Sequence, residues 1–430
     1  MFVATYIPLE TNMNGPTDPV KGNNTLKKAV LYILWAALFI IPTLLTKIAT
    51  SQYINGVVIL GIQFLIVAFT WKQTILGARL IALRFPVVLT ILVITLAVGF
   101  PDTRNQIYLV SVLLVFSLIG QYQTQGVGNI FAPIINIKVL IIFGIALYFS
   151  LFYLFFSETQ LTDDYFSTGL LPLYRSMRHF NFELAFGVPL SAFLLFRYPT
   201  NFVRQFFFAF CIGMFFYYSL ASGGRGQALA MLITGTLVIS KLGIDITSRE
   251  IKVFIAALAI GGGLVFLTGQ ADYLLQNSVQ KTVNIENYHA MSSGRWAIWY
   301  NVLTYFNQQD WQVLLVGNSA ESHDYFYAMK YYSLSQPHNS LVQVVLEYGY
   351  LGLLFFCYLS ILLIRNSIRN IWQLKTLNYV TLASATMLGI WVFSLTDGLF
   401  YHGLPLTMVI VLVSVIVNHN LPPNRFENGR

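Results

Sequence analysis

Leu341-Val-Gln-Val-Val-Leu-Glu-Tyr-Gly-Tyr-Leu-Gly-Leu-Leu-Phe-Phe-Cys-Tyr-Leu-Ser-Ile-Leu-Leu-Ile364 is a run of 24 residues with one formal charge, Glu347. About 20 consecutive apolar residues cross a bilayer as a helix, so the run reads as a membrane span. Pro337-His338-Asn339-Ser340 precedes it, and Arg365 and Arg369 follow it. Outward from this run the pattern repeats. Further apolar spans centre on residues 29–46, 53–71, 84–100, 106–121, 136–157, 182–198, 203–221, 225–241, 251–268, 377–396 and 403–419, twelve in all.

The 430 residues are 56% hydrophobic and 10% charged, with mean hydropathy +0.66. A soluble chain of this length has too little interior for that much apolar surface, so the fold class expected is an all-α polytopic membrane protein. The net charge of +8 does not point to nucleic acid, because the basic residues punctuate apolar spans and do not form one basic domain. The aromatic share of 16% fits interface belts and walls for a lipid tail. Cys211 and Cys357 both fall inside apolar spans and outline no disulfide framework. The first 28 residues are polar, so no cleavable signal peptide is expected and the first span is expected to act as an uncleaved anchor.

Lys and Arg set the expected orientation. With the N-terminus inside, only Lys47, Arg104, Arg175, Arg178, Arg225, Lys281, Arg295 and Lys330 fall outside; the other 17 of 25, Lys138 among them, lie on the cytoplasmic side. The organisation expected is a cytoplasmic tail (1–28), nine spans (29–268), an external loop (269–340), three spans (341–419) and a cytoplasmic tail (420–430). The external loop is too long for a passive turn. Within it Ser292-Ser293-Gly294 precedes a helical pattern that places Trp296, Trp299, Leu303 and Phe306 on one face, against the bilayer or over a cavity.

Three motifs stand at expected helix starts on the outer side. A cation there opposes the helix dipole unless an anion binds. Ser222-Gly223-Gly224-Arg225-Gly226-Gln227 offers glycines for close backbone approach and a cation at a helix N-terminus; alone, it reads equally as a tight turn with a snorkelling arginine. In Ser293-Gly294-Arg295-Trp296, the guanidinium matches a phosphate bidentately; alone, an interfacial Arg–Trp pair explains it as well. In Pro337-His338-Asn339-Ser340, Asn339 or Ser340 is suited to cap the helix, and the dipole favours the neutral imidazole that a general base needs. A lone histidine is more often an interface residue, yet its position after a loop carrying Arg295 favours a functional one.

Arg175, Arg178 and His179 add a basic cluster. Asp163-Asp164 is a poor metal site without further spaced ligands, so neither metal nor cofactor is expected. Gln343 and Glu347 share one face of their span, and either line a polar cavity or satisfy a neighbouring helix. His402 follows Asp397-Gly398 at an outer mouth, and Gly261-Gly262-Gly263 signals close helix packing or a kink. No phosphate-binding P-loop, dinucleotide fingerprint or zinc-protease motif is present.

Taken in order, Ser-Gly-Gly-Arg-Gly, Ser-Gly-Arg-Trp-Ala-Ile-Trp, Val316-Gly317-Asn318 and Pro-His-Asn-Ser, running into Leu346-Glu347-Tyr348-Gly349-Tyr350-Leu351-Gly352, resemble the bacterial O-antigen ligase and polymerase superfamily. The likeness is strongest over 218–356. It departs in the glycines before Arg225 and in the single glycine of the Gly317 turn. The resemblance implies an inner-membrane glycosyltransferase acting at the periplasmic face on an undecaprenyl-pyrophosphate-linked glycan. An O-antigen ligase would pass that glycan to lipid A–core; a polymerase or a protein O-oligosaccharyltransferase is the alternative. It implies catalytic roles for Arg225 and Arg295 on the pyrophosphate and for His338 beside the acceptor hydroxyl. Arg175, Arg178, Asn339 and Trp296 complete the expected substrate-binding set. A flippase is the non-enzyme alternative, but no internal repeat is visible and the notable cations lie at one face.

Overall fold

A computed structural model describes residues 21–48, 52–86, 103–155, 177–197, 201–221, 225–241, parts of 252–263, 295–317, 337–396 and 403–421. Its regular elements are helices: α1 (Lys21–Ile48), α2 (Gln52–Phe69), α3 (Trp71–Arg84), α4 (Thr103–Gln125), α5 (Val127–Phe155), α6 (Met177–Arg197) and α7 (Phe202–Ala221). There follow α8 (Arg225–Ile239), α9 (Arg295–Phe306), α10 (Trp311–Val316), α11 (Ser340–Gln373), α12 (Tyr379–Thr396) and α13 (Gly403–His419). Among the described residues five helices are long and apolar enough to cross a bilayer, or six if the bent pair α2–α3 is one span; 180–196, 226–239 and 405–419 form shorter apolar helices. The all-helical membrane architecture is as expected. The described residues do not supply the expected twelve crossings, and most of the expected spans 84–100 and 251–268 lies outside them.

Two places depart from the sequence reading. After α2 the chain turns through 90° into α3. At the turn the Thr70 hydroxyl donates to the Ile66 carbonyl at 2.6 Å and meets Ser117 Oγ of α4, also at 2.6 Å. α3 then crosses α4 with backbones nearly touching: a Cβ on Gly77 would strike the Phe116 carbonyl, and one on Gly120 the Gln73 carbonyl. Lys72 and Arg79, expected on a connector, and Arg84, expected at the start of the span 84–100, therefore belong to one helix packed against α4. The second departure is Lys138. Counted as a cytoplasmic-side cation at the start of the span 136–157, it is instead fully buried within α5.

A large apolar core joins α1, α2, α4 to α8, α12 and α13. α7 meets the helical residues near 261 closely, a Cβ on Gly261 falling 2.6 Å from the Gly213 carbonyl, which is the close packing expected there. A separate small core forms where Val302 and Phe306 of α9 meet Val342, Val345 and Leu346 of α11. α11 breaks at Gly349, whose φ of 65° and ψ of −167° are non-helical. Its first part lies buried under α9 and α10, while Leu351, Leu354, Tyr358 and Ile361 beyond the break are exposed. The 24 residues after Gly349 extend about 36 Å at 1.5 Å per residue, enough for a hydrocarbon core of about 30 Å.

Candidate functional site

Asn339 is the geometric key to the site. Its Oδ1 accepts from the backbone nitrogens of Leu341 at 2.9 Å and Val342 at 3.1 Å, capping α11 as the sequence suggests. Its Nδ2 donates to the Leu395 carbonyl at 2.9 Å, which ties the start of α11 to the last turn of α12. Pro337, two residues earlier, is also held: its carbonyl accepts Trp299 Nε1–H at 2.6 Å. His338 stands between these anchors, half-buried, with φ of 52°. Positive φ is uncommon outside glycine, although histidine tolerates it better than most, and such strained residues cluster at functional sites.

The other two motifs reach the same turn. Arg295, the first residue of α9, donates through a guanidinium N–H to the Thr396 carbonyl. The last carbonyls of a helix carry partial negative charge, so the cation and the C-terminus of α12 stabilise each other. Arg225 opens α8, and its side chain lies outside the described residues. Its neighbour Gly226 fixes where that helix start lies, because a Cβ there would collide with Thr396 and approach Phe393 to 3.0 Å. α8 and α12 stay in close contact further along: Thr234 Oγ1 donates to the Ala385 carbonyl at 3.3 Å, and a Cβ on Gly389 would sit 2.5 Å from the Ala230 carbonyl. In this motif, then, the smallness of Gly226 serves helix packing; Gly223 and Gly224 lie outside the described residues.

The starts of α8, α9 and α11 therefore converge on Leu395 and Thr396. The N-terminus of α8 contributes partial positive charge near Arg295 and the His338 imidazole, while the first N–H groups of α11 are taken by Asn339. Such an arrangement suits a multiply charged anion whose oxygens take backbone N–H groups and guanidinium forks.

A buttress supports this turn. α10 ends at Gly317, where φ is 77° and ψ −177°, and a Cβ there would strike the Glu347 carbonyl and the Tyr348 nitrogen. Gly349 returns the contact: its Cβ would strike the Leu315 carbonyl. The two glycines of Val316-Gly317-Asn318 and Glu347-Tyr348-Gly349 are thus one reciprocal backbone contact. Beside it, Gln343 Nε2 donates to Glu347 Oε1 at 2.5 Å, both side chains being buried. Tyr350 Oη–H reaches Asn307 Oδ1 at 2.6 Å.

The expected α9 face needs one correction. Phe306 and Val302 are buried, and Ile298, Trp299 and Leu303 pack beside them, whereas Trp296 is 60% exposed, its ring meeting that of Trp299 with centroids 6.3 Å apart. With 3.6 residues per turn, position 296 lies off the stripe 299/302/303/306. Arg178 and His179 fall in the first turn of α6 with side chains outside the described residues; Arg175, Asp163, Asp164 and His402 lie outside them altogether. The sequence reading missed Leu395 and Thr396, because backbone acceptors have no residue signature. It also missed Glu183, a carboxylate inside an apolar span and therefore a visible signal.

Residues 208–357 match the family model described as O-antigen ligase. No curated protein matches the chain. The matched segment holds Arg225, Arg295 and His338 with the glycine buttress, and ends before the Leu395–Thr396 turn on which those motifs converge. The match over residues 208–357 supports the O-antigen ligase superfamily without resolving a specific member.

Proposed function

We propose that this protein is an O-antigen ligase that transfers a glycan from undecaprenyl pyrophosphate to lipid A–core at the periplasmic face of the inner membrane. The observation that carries the reading is the meeting of three motifs, distant in sequence, at the last turn of α12: Arg295 on the Thr396 carbonyl, Asn339 on the Leu395 carbonyl, and Gly226 against Thr396.

The chemistry follows from the charges. Transfer breaks the bond between the anomeric carbon and the pyrophosphate oxygen, and the departing electron pair leaves negative charge on undecaprenyl pyrophosphate. Arg225 and Arg295 stabilise that charge as it develops, aided by the N-terminus of α8. His338 accepts the proton of the acceptor hydroxyl while its oxygen bonds to the anomeric carbon. In-line attack inverts that centre. Protein cations perform the electrostatic work, so the reaction proceeds without a divalent ion. The deciding experiment is disruption of the gene followed by inspection of surface glycans. Full-length glycan stranded on its lipid carrier, with bare core, supports the ligase. Core bearing a single repeat would indicate a polymerase instead, and loss of glycan from protein alone a protein-glycosylating enzyme.

A further inference from the structure

Lys138 of α5 and Glu183 of α6 form an ion pair in the interior, with side chains 0% and 2% exposed. The ammonium also lies over the Phe39 ring of α1, 4.6 Å from its centroid. Beyond this pairing, neither the ammonium nor either carboxylate oxygen has a hydrogen-bond partner among the described residues. Charges inside a membrane bundle are costly and tend to mark function. Replacing such a pair by packed apolar side chains is often neutral or stabilising, so stability alone does not explain its presence. What an ion pair supplies and apolar contact lacks is a directional demand on the height and rotation of two helices.

That demand acts close to the candidate site. Phe182, adjacent to Glu183, packs its ring on Phe393 of α12 with centroids 5.7 Å apart. Phe393 also supports Gly226, and Thr396 follows one turn later. We infer that Lys138 and Glu183 are a positioning pair: by fixing α6 against α1 and α5, they hold Phe182 behind Phe393 and so place the α12 turn that carries the Arg295 and Asn339 contacts. This inference rests on reading that turn as the reaction site.

The test compares purified protein with Lys138→Met, with Glu183→Gln, and with the double apolar change Lys138→Met/Glu183→Leu, using lipid-linked glycan as donor. A misplacement of catalytic groups by about 1 Å lowers turnover steeply. The double variant should insert and melt at or above the parent temperature, yet show kcat lower by on the order of 10-fold, with donor KM within roughly threefold of the parent. Parental kcat in the double variant overturns the inference, as does a loss of activity that only tracks a lowered melting temperature. A second readout needs no activity. Cysteines introduced as Phe182→Cys and Phe393→Cys should cross-link readily, and at least several-fold more slowly once Glu183→Gln is added. An unchanged cross-linking rate overturns the pair's role. If the parent protein transfers no glycan, the enzymatic reading fails on its own and the cross-linking comparison still decides the positioning role.

Discussion

His338 owes its position to both neighbours, since Trp299 holds the Pro337 carbonyl and Asn339 is fixed to α11 and α12 at once. A residue kept at positive φ by such anchors is poised for a task that the anchors do not themselves perform. His338→Ala should lower turnover by roughly 10²–10⁴-fold and leave donor affinity nearly intact, as loss of a general base does. Affinity and turnover measured on one preparation check this; a fall confined to affinity would make the imidazole a binding group. Arg295 has a different requirement, because one of its N–H groups already serves the Thr396 carbonyl. A guanidinium has five donors in a fixed fork and can serve a phosphate as well, whereas an ammonium is a point charge. Arg295→Lys should therefore recover little of the turnover lost in Arg295→Ala, and lysine restoring parental rates would contradict bidentate use. Both residues were legible in the sequence as cations or bases at helix starts. Their common partner was not, because a carbonyl at the end of α12 looks like any other carbonyl until the fold is known.

Periodicity predicted the helices well and their breaks poorly. α9 begins at Arg295, where the Ser-Gly signal places it, but its buried stripe omits Trp296. The right-angle turn at Thr70 had no proline or glycine to announce it; a hydroxyl bonding back to Ile66 and across to Ser117 accompanies the turn. Gly317 and Gly349 were visible as family-like positions, but their reason is an element-scale contact. Both occupy a backbone region, φ of 77° and 65° with ψ near 180°, that essentially only glycine enters. Alanine at either would suffer that conformational cost, roughly 1–3 kcal/mol, and would also strike the opposing backbone. Gly349→Ala should thus loosen α10 from α11 and speed amide exchange over Val313–Val316, with little change in α12 or α13. Exchange rates that match the parent's over this segment would show that the glycine contact is not what holds the buttress.

At the scale of the molecule, the helix ends fall into two groups. At one end lie the starts of α8 and α11 and the finish of α12, joined through Leu395 and Thr396, and nearby the Ser150–Tyr218 hydrogen bond of 2.8 Å joins the later turns of α5 and α7. At the other end Gln123 of α4 reaches Asn418 of α13 at 2.8 Å, and Asn370 reaches Ser384 at 3.2 Å between α11 and α12. The alternation expected from the charge count would put the first group outside and the second inside. Removing the buried Lys138 from that count changes 17 of 25 cytoplasmic cations to 16 of 24, so the bias survives. Hydropathy could not tell a lysine at the cytoplasmic edge of a span from one paired inside the bundle, because that distinction depends on Glu183 from another helix. The sidedness is open to direct test. Single cysteines at Gln276, in the long loop, and at Lys375, between α11 and α12, should react oppositely to a membrane-impermeant maleimide in intact spheroplasts: Gln276→Cys labelled, Lys375→Cys protected until the membrane is opened. Since Lys375 follows the end of α11 opposite Asn339, the reverse pattern would put the Arg225, Arg295 and His338 motifs on the cytoplasmic face. No periplasmic transfer reaction could then be theirs.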